Sequence, residues 1–359
     1  MKMRFRLVSV SAPIIALTIS FGLSSLILLI IGKDPYETFK IMFEYGIRSK
    51  SIVSIINRSI PLYISAIAVA VGFKMGLFNI GVEGQYLMGS LIAAYIGAQF
   101  SVITPLHILF IIIVAVATSS LWAAIAGYLK VEKGIHEVIS TIMLNYIGTG
   151  LIAYSLTTIF DEPNSNYDLP RTKELPETGK MPPLNKFFNI EDLQDLHGFL
   201  IIAVLVGIFY YWLVWKTTLG FDLRITGSNP IAAKFSGINP KRLVVIAMIT
   251  SGGFAGLVGL GPLLGYFHRY TIDFPTGLGF AGIGVALLGR NHPFGMAVGA
   301  LLFAFLQRSA QILDLNDVPK EIEQMMQAFI LLIVVVFYEV IRRFLVKQQI
   351  KDASKRTEE

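Results

Sequence analysis

Residues 61–100, PLYISAIAVAVGFKMGLFNIGVEGQYLMGSLIAAYIGAQF, hold two strongly apolar runs with a glycine-rich polar interruption between them. The stretch is 40 residues long, and two helical bilayer crossings at about 20 residues each consume all of it. No length remains for an aqueous loop, so Asn79, Glu83 and Gln85 lie at or within the membrane boundary. Glycines at 76, 81 and 84 permit a sharp turn and close helix contact. An Asn or Glu at that depth is costly unless it faces a cavity or a partner. Two readings follow: a broken helix lining a polar path, or a helix start capped by Asn79 with Glu83 well placed near the helix dipole.

The rest of the chain has the same character. Of its 359 residues 54% are hydrophobic and only 15% charged, which is too apolar for a soluble globular protein. The apolar runs are continuous rather than alternating, so backbone polar groups are satisfied in lipid by helices. The fold class is therefore all-α: a polytopic membrane protein with about ten transmembrane helices, at 7–31, 59–74, 82–100, 103–129, 139–160, 198–215, 243–263, 277–289, 294–312 and 325–343. The first run, from Leu7 to Ile31, is too long for a cleaved signal segment and reads as a retained helix.

With the N-terminus inside, ten crossings make both termini cytoplasmic. Lys130, Lys133, Lys216, Arg224, Lys234, Lys241, Arg242, Arg290, Arg342 and Arg343 then lie inside. Asp161, Glu162, Asp168, Glu174, Glu177, Glu191, Asp192 and Asp195 lie outside, and Lys40, Arg48 and Lys50 run against the trend. The formal charge of +6 follows this topology and implies no nucleic-acid surface. Cysteine is absent, which excludes disulfides and thiolate-ligated metal.

The chain divides into 1–58 (first transmembrane helix and an external surface helix), 59–160 (first membrane half), an acidic, Pro-rich extracytoplasmic loop at 161–197, 198–346 (second membrane half, with a cytoplasmic loop at 216–242) and a cytoplasmic tail at 347–359. MGLFNIGVEG at 75–84 is echoed by TGLGFAGIGVALLG at 276–289, each leading into a helix. In the ten-helix arrangement the two copies start from opposite sides, the relation of an inverted repeat around a transport path.

Within the internal loop, GSNPIAAKFSGINP at 227–240 spells a short rigid helix. Ser228 or Asn229 is placed to cap it, Pro230 to open it and Gly237 to close it, with Ile231, Ala232 and Phe235 as an apolar face. Such a helix suits a lever on which a cytoplasmic partner docks; an ordinary ordered loop is the alternative. In the fifth membrane helix Glu137, Thr141, Asn145 and Gly148 share one face, as path lining or as packing glue. Small-xxx-small pairs such as Gly252/Gly256 imply close helix packing. Enzyme signatures fail: HEVIS at 136–140 lacks the second histidine of HExxH, and Gly179-Lys180 is followed by Met181 rather than Ser or Thr. The chain holds no P-loop, so ATP dependence requires another subunit.

GLFNIGVEGQYLMG (76–89), HEVISTIMLNYI (136–147), GSNPIAAKFSGINPKR (227–242), SGGFAGLVG (251–259) and GFAGIGVALLGRNHPFG (279–295) together closely resemble the permease subunits of ATP-binding-cassette importers for nucleosides and simple sugars, within the wider group of ribose and branched-chain amino-acid permeases. The resemblance implies a bacterial cytoplasmic-membrane complex of two permeases, two cytoplasmic ATPases that use ATP and Mg, and an extracytoplasmic solute-binding protein or lipoprotein. This chain itself then binds no cofactor and is no enzyme. The FNIGVEGQ form resembles the longer permease of nucleoside systems and implies a heterodimer, with ribose or another sugar as the alternative solute. It implies ATPase coupling by Arg224, Ser228, Asn229, Pro230, Ala232, Ala233, Lys234, Phe235 and Gly237, and a translocation path near Phe78, Asn79, Glu83, Gln85, Asn145 and Phe280.

Overall fold

The computed structural model describes residues 2–160, 169–185, 195–336 and 340. Asp161, Glu162, Asp168, Glu191, Asp192, Arg342, Arg343 and the tail at 347–359 lie outside the described residues. The helices are α1 (Lys2–Ile30), α2 (Pro35–Gly46), α3 (Ser49–Lys74), α4 (Val82–Gly97), α5 (Thr104–Lys133), α6 (Glu137–Thr158), α7 (Phe199–Lys216), α8 (Thr218–Ser228), α9 (Pro230–Phe235), α10 (Pro240–Gly256), α11 (Leu260–Pro262), α12 (Leu278–Leu288) and α13 (Pro293–Ser309). A further helix, α14, covers Ile322–Val336.

The all-α membrane class is borne out, and among the described residues each of the expected apolar stretches overlaps a helix. Their lengths differ in an informative way. Among the described residues six helical segments are long and apolar enough to cross a bilayer; a seventh arises if Leu17–Ile30 and Pro35–Gly46, bent by 118°, form one broken span. By contrast α12, with 11 residues, reaches only about 16 Å, half of a hydrocarbon core of about 30 Å.

The described residues of Met1–Arg48 and Phe305–Glu359 form one compact unit and Ser49–Ala304 another. In the first, Asp34 caps α2 by accepting the Tyr36 N–H at 2.7 Å, with Pro35 opening the helix. The Arg308 guanidinium lies 4.9 Å from the centre of the Tyr45 ring, on which it packs as a cation on a π face.

In the second unit α3 begins ten residues before its apolar core, because SKSIVSIINR at 49–58 is polar enough to depress hydropathy yet buries Ser51, Val53, Ser54, Ile55 and Asn57. The Asn57 amide donates to the Asp195 carbonyl at 2.8 Å and accepts the His197 N–H at 2.9 Å, which explains a polar residue there. In the most apolar stretches of α3 and of residues 240–267, 78% and 72% of residues are buried, against 28% in α5 and in α6. The first two are central; the other two present most of their surface outward, as helices facing lipid do.

Small residues let the central helices touch. A methyl group built on Gly252 would lie 2.6 Å from the Ser119 carbonyl oxygen, and one on Gly256 2.6 Å from that of Ala115, so α10 and α5 cross backbone to backbone. Gly256→Leu is therefore expected to lower the thermal unfolding temperature of the purified chain by several degrees, overpacking costing about 1–3 kcal/mol. Gly150 on α6 has open space around it, and Gly150→Leu serves as the control that leaves the unfolding temperature unchanged.

Candidate functional site

The polar interruption of the sequence is a break between two helices. Helix α3 ends at Lys74, α4 begins at Val82, and residues 75–81 turn between them. Non-helical backbone inside a membrane must have its N–H and C=O groups satisfied by protein, and here side chains do it. The Asn79 carboxamide oxygen accepts the Gly81 N–H at 3.0 Å. Asn145 on α6 accepts the Gly84 N–H at 2.9 Å and donates to the Ile80 carbonyl at 3.0 Å. Glu137, at the head of α6 and ion-paired with Lys130, accepts the Phe78 N–H at 3.3 Å.

Asn79 and Gln85 close on each other through two reciprocal amide hydrogen bonds of 3.1 Å. Asn79 also donates to the Ser251 hydroxyl at 2.8 Å, and that hydroxyl donates to the Ala68 carbonyl at 2.6 Å. Ser119 donates to the Gln85 carbonyl at 2.7 Å. The three amides are thus buried and fully engaged. Serines 119 and 251 escaped the sequence reading because a lone Ser in an apolar helix has the same pattern whether it packs or bonds. The polar face of α6 holds the break: Glu137, Thr141 and Asn145 are all buried.

Glu83 does something different. Its carboxylate accepts the Gly277 N–H at 2.6 Å and the Gly279 N–H at 2.8 Å, at the first turn of α12, and lies 3.0 Å from the Tyr86 hydroxyl, which shares its one hydrogen between Glu83 and the Pro275 carbonyl at 2.8 Å. Gly277 has φ +85°, a left-handed conformation that glycine adopts without strain, and this aims both N–H groups at one carboxylate. A methyl group on Gly279 would meet the Glu83 backbone N at 2.5 Å, so the two glycine-rich segments that echo one another in sequence are in contact. Two short helices meet N-terminus to N-terminus with a carboxylate between their positive dipole ends. Tyr86 was missed from sequence, although its place one turn after Glu83 was the available signal.

Beside this junction the two aromatic candidates remain exposed, Phe78 at 36% and Phe280 at 50%. The Phe78 ring packs against Phe73 at 5.1 Å between centroids. The structure therefore brings Asn79, Gln85, Asn145 and Glu83 together as a hydrogen-bonded frame, and leaves two phenyl groups presented from it.

The loop at 216–242 folds as α8 and α9. Asn229 caps α9 by accepting the Ile231 and Ala232 N–H groups at 3.1 and 3.0 Å, Pro230 opens it, and the Ile238 N–H returns to the Ala233 carbonyl at 3.0 Å past Gly237. Ile231 is 70% exposed and Phe235 89%, whereas Ala233 is fully buried. Ser228, Pro230, Ala232, Lys234 and Gly237 are exposed, and half-buried Arg224 donates to the Gly220 carbonyl at 3.2 Å. On the inner side Leu223 shares an apolar cluster with Met75, Leu77, Ala126, Leu144, Leu243 and Met248. A methyl group on Gly227 would press on the Lys74 carbonyl and lie 2.8 Å from the Met75 carbonyl carbon. The loop thus rests directly on the turn that opens the break.

At the opposite end of the unit, residues 169–185 strap the segment after α11. The Thr172 N–H donates to the Tyr270 carbonyl at 2.9 Å, Leu175 to His268 at 2.8 Å and Met181 to Leu264 at 2.9 Å. Glu174 pairs with Lys180 at 2.8 Å and with Arg269. The Lys180 hydrogen bond, with the Arg269 charge beside it, holds the Glu174 carboxyl below its ordinary range. Burial pushes the His268 imidazole below its ordinary value, so the native strap favours the neutral ring. Both groups stabilise the strap at neutral pH. The His268 contribution is lost as pH falls below about 6.5, and that of Glu174 only once pH drops below about 4. The protection factor of the Leu175 amide, its exchange rate corrected for the intrinsic pH dependence, is expected to fall in these two steps, and His268→Asn removes the upper one.

Residues 51–335 match the family described as Branched-chain amino acid transport system / permease component. Over 341 residues the chain is 33% identical to the Guanosine ABC transporter permease protein NupP of Bacillus subtilis, covering 93% of this chain and 95% of that protein. It is 31% identical to the Nucleoside ABC transporter permease protein NupB of Lactococcus lactis, over 91% of each. A third relative, the Glucose ABC transporter permease protein TsgB13 of Haloferax volcanii, is 26% identical over 90% of this chain and 86% of its own length. The family match over most of the chain and the similarity along nearly its whole length agree: the protein belongs to the family of branched-chain amino acid transport system permease components, the membrane subunits of ABC transporters.

Proposed function

We propose that the chain is the membrane-spanning permease of an importer that carries nucleosides across the cytoplasmic membrane of a bacterium. The observation that carries this reading is the Glu83 junction. Helix N-termini at a membrane break ordinarily offer a positive end to an anionic group such as an amino-acid carboxylate. Here the Glu83 carboxylate already takes the N–H groups at the start of α12, and the amides of Asn79 and Asn145 take those of Gly81 and Gly84 at the start of α4, so the surface left for a solute is neutral and aromatic. Phe78 and Phe280 supply faces on which a nucleobase stacks, and the amides of Asn79, Gln85 and Asn145 keep the frame rather than the solute. Similarity to guanosine and nucleoside permeases over nine-tenths of the chain supports the same solute class.

The working complex pairs this chain with a second, homologous permease, a cytoplasmic ATPase that uses ATP and Mg, and an extracytoplasmic solute-binding protein or lipoprotein. ATP-driven closure of the ATPase pushes α9; α8 passes the movement to residues 75–77, and the break at 78–81 opens or closes the path by alternating access. Arg224, Ser228, Asn229, Pro230, Ala232, Ala233, Lys234, Phe235 and Gly237 form or shape the docking loop.

Uptake of labelled guanosine and uridine, compared with labelled ribose, in cells expressing the complete transporter tests the reading. Nucleoside uptake that disappears when the ATPase is omitted is expected. Ribose uptake without nucleoside uptake would replace the solute class, and nucleoside uptake without any ATPase would replace the mechanism.

A further inference from the structure

Between α3, α7 and α13 runs an apolar groove of about 560 Å³, lined by Ile60, Tyr63, Val204, Ile208, Tyr211 and Ala297 among others. Its lining residues belong neither to the junction nor to the docking loop. Along α7 it extends from Leu200 to Tyr211, about 16 Å at the helical rise, close to the half-thickness of a hydrocarbon core. Hydrocarbon is what fills such a groove in a membrane.

The Tyr211 end of the groove leads into a different chemistry. The Tyr211 ring stacks on Trp215 at 5.3 Å, and His292, next to the groove residue Pro293, packs against Trp215 at 5.6 Å. Lys74 places its ammonium 4.9 Å from the centre of the Trp215 ring, and Arg224 and Arg290 are near enough for their charges to act on it. Arg290 and Asn291 both adopt left-handed backbone, φ +55° and +54°, in a turn tied down by the Tyr210 hydroxyl, which donates to the Asn291 carbonyl at 3.0 Å. Strain of that kind persists only where the surroundings hold it. Among the described residues Lys74 forms no salt bridge with a carboxylate. Tyrosine and tryptophan rings gathered at one end of a bundle mark the headgroup level of a bilayer, so the cations lie where lipid phosphates lie.

We propose that α3, α7 and α13 hold one anionic phospholipid, its acyl chain in the groove and its phosphate against the Lys74, Arg224 and Arg290 cluster. Two independent features, an apolar slot one leaflet long and three cations converging at its interfacial end, fit the two halves of that molecule. A zwitterionic lipid fills the slot equally well but gains little from the cations.

Trp215 reports on the site. With Trp122→Phe and Trp212→Phe it is the remaining tryptophan of the 3 in the chain. In nanodiscs of phosphatidylcholine, brominated phosphatidylglycerol is expected to quench Trp215 at a mole fraction about tenfold or more below that needed with brominated phosphatidylcholine, each nearby basic residue contributing about fivefold. Lys74→Gln with Arg290→Gln is expected to erase the difference. Ala297→Phe, which fills the groove and leaves the charges in place, is expected to weaken quenching by both lipids and provides the test if the double variant fails to insert. Equal quenching by the two lipids in the parent chain overturns the proposal, as does a preference that survives both sets of substitutions. If lipid identity has no effect and the double variant instead loses its ATPase partner on purification, the cations belong to a protein interface and the lipid site is rejected.

Discussion

Glu83→Gln is expected to cut nucleoside uptake at least about tenfold with the chain still inserted, and Glu83→Ala to abolish it. Each oxygen of the Glu83 carboxylate accepts one N–H from the start of α12. A glutamine has a single acceptor oxygen, so its NH2 group must face the N–H of Gly277 or of Gly279. One buried donor loses its partner and two donors oppose, a loss of about 1–3 kcal/mol, and about 1.4 kcal/mol is a tenfold change in an equilibrium. Alanine strands both N–H groups and also removes the charge that sits between two helix N-termini. Glu83→Asp keeps the charge but is one methylene shorter, and an intermediate loss is expected. Uptake normalised to the amount of chain in the membrane measures all three. Uptake within twofold of the parent for Glu83→Ala would remove the junction from the mechanism.

The broken segment was legible because arithmetic alone confined it: two crossings exhaust residues 61–100, so the polar residues could not be in water. The short helix at 230–235 was legible for a different reason. Its signals are local, an Asn cap, a Pro at the first position and a Gly beyond the end, and local signals survive without tertiary information. What stayed illegible was tertiary. Whether Asn79, Gln85 and Asn145 point into a path or into the protein depends on partners such as Ser251, 172 residues from Asn79, and the Gly84 N–H, 61 residues from Asn145. The contact of Glu83 with Gly277 and Gly279 spans nearly 200 residues and uses backbone N–H groups, which leave no mark in a side-chain pattern. The early start of α3 was hidden because hydropathy cannot distinguish a polar residue in solvent from Asn57, whose amide is bonded on both sides.

The loop at 216–242, proposed to dock the ATPase, gives the second large effect, and the structure selects the residue to change. Ala233 is fully buried, so Ala233→Asp would bury an unpaired carboxylate and unfold the loop as well as the interface. Gly237→Pro demands φ near −65° where the backbone has +81° and has the same drawback. Phe235 is 89% exposed, so Phe235→Glu leaves the chain's own packing intact. It also places a charge where an apolar ring should enter a partner, a loss of about 2 kcal/mol or more for a central aromatic. ATPase binding and uptake are both expected to fall at least about thirtyfold, with the unfolding temperature of the isolated chain unchanged. Gly227→Val separates docking from transmission. Its side chain would push on the turn at Lys74–Met75 while α9 remains free to bind, so the ATPase should still co-purify and hydrolyse ATP as uptake is lost. If Phe235→Glu retains both binding and uptake, the ATPase docks elsewhere. If Gly227→Val retains uptake, the push reaches the break by a route other than α8.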